Sequence, residues 1–108
     1  MKGVAADNVE LVKRFLKAQN LEQVGRVDEA IAMHESIVEA GFDSSGPYDR
    51  LIALYQQQAR HREVVRVAEA ALAQVQTYED KRAFYEQTRV EALKAAGRLP
   101  QAAPRKHP

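Results

Sequence analysis

Two stretches of the chain decide how it is read: "GRVDEAIAMHESIV" (25–38) and "ARHREVVRVAEAAL" (59–72). Set one over the other, they keep a constant offset of 34 residues. Gly25 falls on Ala59, Glu29 on Glu63, Ala30 on Val64 and Ile31 on Val65. His34 falls on Ala68, Ile37 on Ala71 and Val38 on Leu72. Within the first stretch, Val27, Ala30, Ile31, His34, Ile37 and Val38 recur three or four residues apart, or as neighbours, which is one apolar stripe at helical period. The second stretch carries the same stripe through Val64, Val65, Ala68, Ala71, Leu72 and Val75.

Outward from these two helices the rest of the chain also reads as helix. Asp7 with Glu10 forms a D-x-x-E start signal for a first helix reaching about Val24, which Gly25 ends in a left-handed conformation. The second helix runs from about Val27 to Ala40 and stops at Gly41. "FDSSG" is a loop, and Pro47 suits the first position of a third helix because its missing N–H is not needed there. Tyr48, Leu51, Ile52 and Tyr55 give that helix its buried face. "QARHR" is the next turn, and a fourth helix follows from about Glu63 to Val75. Thr77 with Asp80 starts a fifth, ending near Gly97. Its Phe84, Tyr85, Thr88, Ala92, Ala95 and Ala96 form a packing face, while Ala83, Val90 and Leu93 point elsewhere. Leu99, Pro100 and "QAAPRKHP" make a flexible tail. No strand is expected, and the fold class is all-α.

A 34-residue helix–turn–helix period is the mark of tetratricopeptide repeats, and the chain resembles that family over roughly residues 11 to 76. The fullest match is "PYDRLIALYQQQARHREVVRVAEAAL", with Tyr48, Leu51, Tyr55, Val64 and Leu72 in the family's apolar positions. In the first repeat, Gly25 and Ala30 match its small residues. Departures are Arg14 and Lys17 where the second repeat has Tyr48 and Leu51, Phe42 in place of a proline, and a fifth helix out of step with the period. The resemblance implies antiparallel helix pairs stacked as a short right-handed superhelix. Its parts would be an N-terminal extension (1–7), a single domain (8–97) and a tail (98–108). Within the domain lie repeats at about 11–44 and 45–78 and a capping helix at about 78–97.

In that family the first helix of each pair lines a concave groove that binds extended or helical peptides. Carried over by position, the groove residues are Phe15, Gln19, Glu22 and Gln23 from the first repeat and Asp49, Arg50, Ala53, Gln56 and Gln57 from the second. The glutamines offer uncharged donors and acceptors for a peptide main chain, and Arg50 can fork onto a carboxylate. The resemblance thus implies an adaptor that binds a protein or peptide partner. The alternative is a structural module whose partner is its own copy, because two repeats fall short of the three or more usually needed for stability. Phe15 and Leu16 on the first helix and Val90 and Leu93 on the fifth are the expected contacts of a two-fold homodimer.

Other chemistries fail on inventory. His34–Glu35 begins a zinc-protease motif, but the run is "HESIV", with Val38 where the second histidine must stand. His34 is expected to pack in the core with one ring N–H satisfied, Met33 to be partly exposed, and Glu35 to face solvent beside Asp28 and Glu39. The five glycines stand apart at 3, 25, 41, 46 and 97 and form no phosphate loop. Ser36, Ser44 and Ser45 lack a nucleophile's elbow. No catalysis, metal or cofactor is expected. The cations Arg60, Arg62, Arg66, Arg98, Arg105 and Lys106 are interrupted by Glu63 and Glu69 and lack interleaved aromatics, so nucleic acid is not expected as a partner.

Composition agrees. The 108 residues are 45% hydrophobic and 29% charged, with a formal net charge of +1, which is the profile of one soluble domain with no general pull toward nucleic acid or anionic lipid. The chain has no cysteine, so disulfides and thiolate sites are excluded. Neither a membrane span nor a signal-peptide core stands in the sequence, and the expected location is the cytoplasm.

Overall fold

The computed structural model describes residues 4–75 and 79–97. Among them are five α-helices and no strand: α1 (Val4–Gln23), α2 (Val27–Glu39), α3 (Gly46–Gln57), α4 (His61–Gln74) and α5 (Glu79–Gly97). The protein is all-α. Each helix packs on the one that follows it, and the result is an elongated body of 57 × 32 × 21 Å.

The 34-residue repeat is visible in the backbone. Gly25 ends the first helical stretch with φ +85°, and Ala59, its counterpart, takes φ +57°, a region that side chains rarely enter. Beyond Gly25, the Arg26 N–H donates to the Leu21 carbonyl at 2.9 Å; beyond Ala59, the Arg60 N–H donates to the Tyr55 carbonyl at 2.9 Å. The flanking bonds repeat too, Gly25 N–H to Glu22 and Ala59 N–H to Gln56, both at 3.0 Å. Arg26 and Arg60 share a backbone conformation, φ −91° with ψ 66° and 72°. Two different sequences therefore make one turn. Each closes its first helix with the same bonds to otherwise orphaned carbonyls.

The expectations for the helices need three corrections. First, α1 begins at Val4, ahead of Asp7, because Ala5 and Ala6 are strong helix formers and an acid is as well placed in a first turn as at a cap. The boundary expected between an extension and the domain at residues 7 and 8 is therefore inside a helix. Second, α4 begins at His61, which was expected in the turn. The left-handed Ala59 reverses the chain so tightly that helix resumes two residues on. Third, Phe84 was placed on the packing face of α5 but is exposed, while Tyr85, Thr88 and Ala92 are buried as expected. Its ring lies at the flank of that face, with the Lys81 ammonium 4.3 Å from its centre. The Thr77 start of α5 and the tail from residue 98 lie outside the described residues.

The core runs from α2 to α5. Ile31, Val38, Tyr48, Leu51, Ile52, Tyr55, Val64, Ala68, Ala71 and Tyr85 are buried within it, and Leu54 and Val67 join them without having been expected. Val65 and Leu72 are only partly buried. The first helix contributes less, with Leu11 and Ala18 as its buried apolar residues among those described from Asn8 onward. This follows from the sequence, since Arg14 and Lys17 stand where α3 has Tyr48 and Leu51.

Candidate interaction face and its polar clamps

Near the C-terminal end of α1, Glu22 is the hub of a cluster joining three helices. His34 Nε2 of α2 lies 2.8 Å from its Oε2, and Arg50 of α3 donates through Nη2 at 2.5 Å and Nε at 3.2 Å to its Oε1. Burial works against ionisation of Glu22, but the bonds from Arg50 and His34 outweigh it and hold the carboxyl below its usual range. Glu22 is therefore a carboxylate, which only accepts, so the proton of His34 sits on Nε2. His34 is 0% exposed. Burial, helped by the charge of Arg50, lowers its basicity, although Glu22 and Glu35 pull the other way. The ring is thus neutral, and its bare Nδ1 is buried without a partner.

Phe15 closes this cluster. Its ring centre lies 5.6 Å from that of His34, tilted by 58°. On its other side it reaches Gly46, where an added Cβ would come within 2.8 Å of Cζ. Glycine at the start of α3 is what lets the ring fit between α2 and α3.

Two further carboxylates act in the same way. Glu35 of α2 accepts from the Tyr55 hydroxyl of α3 and from Arg66 Nη2 of α4, which also binds Glu63 at 2.7 Å. Glu35 does not simply face solvent as expected; it joins three helices. The Tyr55 phenol is pushed far up, by burial first and then by Glu35. Asp49 of α3 accepts from the buried Tyr85 hydroxyl of α5 at 2.8 Å and pairs with Lys81 at 3.0 Å. Burial, then Asp49, raises the Tyr85 phenol strongly. Tyr48 donates to the Phe42 carbonyl at 2.5 Å, and burial with the charge of Asp43 pushes its phenol up to about 12.

The expected groove residues divide into two groups. Glu22, Asp49 and Arg50 are engaged within the molecule, and Phe15 is wedged between His34 and Gly46. Arg50 does fork onto a carboxylate, but that carboxylate is Glu22. Gln23, Gln56 and Gln57 are exposed, and Gln19 and Ala53 are half-buried. Since Glu22 meets Arg50 and Asp49 meets Tyr85 and Lys81, side chains of α1, α3 and α5 adjoin along one side of the body. Sequence reasoning did not find Lys81 and Tyr85 as partners of Asp49, nor Arg66 and Tyr55 as partners of Glu35. These pairs are separated by tens of residues and carry no local spacing signal.

Of the expected dimer contacts, Leu16, Val90 and Leu93 are exposed, and Phe15 is turned inward. His34 is sealed away from any substrate. Among the described residues no three His, Cys, Asp or Glu side chains form a group that could hold a metal, and no helix is long and apolar enough to cross a membrane. A small cleft of about 150 Å³ lies between α3, α4 and α5, lined by Gln56, His61, Thr88, Glu91 and Ala95 among others. Compared with models of protein families, with curated proteins and with solved structures, the chain gives no match.

Proposed function

We propose that the chain is a tetratricopeptide-like repeat module, without catalytic activity of its own, that binds a protein or peptide partner along the side shared by α1, α3 and α5. The observation that carries this reading is one interhelical turn, with its left-handed residue and the hydrogen bonds that follow it, recurring at an offset of 34 residues between two helix pairs. Repeats of this length stack so that alternate helices share a surface. On that side the charged residues clamp the helices together, and the exposed amides of Gln23, Gln56 and Gln57, with half-buried Gln19, remain to bond a peptide main chain. A cytoplasmic setting belongs to the reading and suits a chain without cysteine.

The test is selection of binding peptides from a random displayed library, followed by mapping of the selected peptide through amide chemical shifts. Shifts should gather on α1, α3 and α5. Changing Gln19, Gln23, Gln56 and Gln57 together to alanine should abolish binding with little change in melting temperature, since surface substitutions cost within about 0.5 kcal/mol each. Peptides that map elsewhere, or that bind the quadruple variant as well as the wild type, would refute the groove.

A second reading, a homodimer, is favoured by Val90 and Leu93, which leave apolar surface exposed on α5. Sedimentation of the wild type beside Val90→Glu/Leu93→Glu separates the two. A wild-type dimer that the double variant dissociates supports self-association, and a monomer at all concentrations removes it.

A further inference from the structure

The outer side of α1 carries an apolar line that ends beside the α1 edge of that groove, where Gln19 and Gln23 continue it at helical spacing. Leu11 and Ala18 face α2 and are buried. On the opposite side of the helix, Val9, Val12 and Leu16 are 55%, 44% and 54% exposed. Their spacing of three and then four residues sets them in one line along two turns. Such a line is the seam along which a second helix packs.

The charges beside the line say what kind of helix. Lys13 and Lys17 flank it on one side, both exposed. Neither makes an ion pair among the described residues, whereas the neighbouring Glu10 is paired with Arg14 at 3.6 Å. An apolar seam edged by two unpaired ammonium groups is complementary to an apolar seam edged by carboxylates. A second copy of α1 supplies only Glu10 on that flank, and Arg14 already pairs with it. Laid antiparallel across a two-fold axis, each lysine flank meets the lysine flank of the copy; laid parallel, it meets the side bearing Gln19 and Gln23. A lipid surface fits less well too. Phe15, the aromatic of α1, is wedged inward against His34 and Gly46, so the seam has no aromatic anchor for a membrane interface.

We propose that this outer face of α1 docks an acidic amphipathic helix of a partner protein, with Val9, Val12 and Leu16 as the apolar contact and Lys13 and Lys17 pairing with its Asp or Glu side chains. The line adjoins the α1 edge of the peptide groove but uses none of the groove's residues, and its failure would leave that reading standing.

The probe is a fluorescent helical peptide of about 16 residues, with leucines in one line and glutamates along the edge. Its counterpart carries lysines in place of the glutamates. Anisotropy should show saturable binding of the glutamate peptide, at least about tenfold tighter than the lysine peptide and weaker in high salt. Val12→Glu/Leu16→Glu should lose about tenfold or more, as central apolar contacts do. Lys13→Glu/Lys17→Glu should reverse the preference between the peptides. Amide shifts of the wild type should map to α1, which keeps the test decisive if a variant misfolds. The proposal is overturned by absence of saturation at millimolar peptide, by equal affinity for both peptides, or by shifts away from α1. It is also overturned if Leu16→Glu dissociates a wild-type dimer, or abolishes binding to phosphatidylserine vesicles, since the occupant is then a second copy or a membrane.

Discussion

Gly25 and Ala59 hold the same place in two copies of one turn, yet only one of them is glycine. A left-handed conformation costs an ordinary residue roughly 1–2 kcal/mol, part of which glycine returns through its greater freedom when unfolded. Ala59→Gly is therefore expected to stabilise the protein by about 0.5–1 kcal/mol, and Gly25→Ala to destabilise it by a similar amount. No atom lies within 4 Å of a Cβ at Gly25, so the cost there is conformational only. Urea denaturation of both variants checks the pair, and equal effects of the same sign would refute the account. His34 gives a second prediction at this scale. Its folded basicity is depressed below the ordinary value of 6.5, so the folded chain resists a proton that the unfolded chain accepts. Its contribution is whole above about pH 6.5 and is lost as the pH falls toward the folded value. Glu22, depressed below 4.5, adds a further loss at lower pH. Urea midpoints at pH 7.5 and pH 5.5 should differ clearly in the wild type and less in His34→Phe. An unchanged difference would remove His34 as the cause.

The helices themselves are ordinary amphipathic elements packed on a shared apolar core, and carboxylates add directed ties between them. Asp49 is the sharpest case because its partner Tyr85 is buried. Asp49→Ala leaves that hydroxyl without an acceptor, which costs about 1–3 kcal/mol. Tyr85→Phe removes the orphan, so Asp49→Ala/Tyr85→Phe should be more stable than Asp49→Ala alone. A double-mutant cycle by chemical denaturation measures the coupling, and strict additivity would mean the bond contributes nothing. The same scale explains why the groove was only partly legible. Position in the repeat marked Glu22, Asp49 and Arg50 as belonging to one face. It did not reveal that these residues bind one another and His34, because ion pairing across helices depends on rotation and separation that periodicity does not encode.

Across the whole molecule, apolar packing is graded from one end. The main apolar cluster draws on α2 to α5, while α1 adds Leu11 and Ala18 and leaves Val9, Val12 and Leu16 uncovered. Amide exchange should accordingly be fastest, among the helices, in the N-terminal half of α1 and slowest in α3 and α4, whose buried residues meet neighbours on both sides. Uniform protection from α1 to α4 would contradict this gradient. A ligand helix on the outer face of α1 should slow exchange there first, which makes the same measurement a second readout of docking.

By itself, the sequence determined the all-α class, the 34-residue period and most of the buried stripe. These rest on local chemistry: apolar spacing at helical period, glycine or a substitute at a left-handed turn, proline in a first turn. It also marked His34 as a core residue, from its place among Ala30, Ile31, Ile37 and Val38. Only the tertiary structure decided that Phe15 turns inward, that Phe84 stays outside, and that Glu22, Glu35 and Asp49 join helices rather than await a ligand. A helix pattern fixes which side of each helix is apolar. It leaves open how neighbouring helices are rotated and spaced, and that alone determines which charged side chains at the edge of a stripe reach a partner.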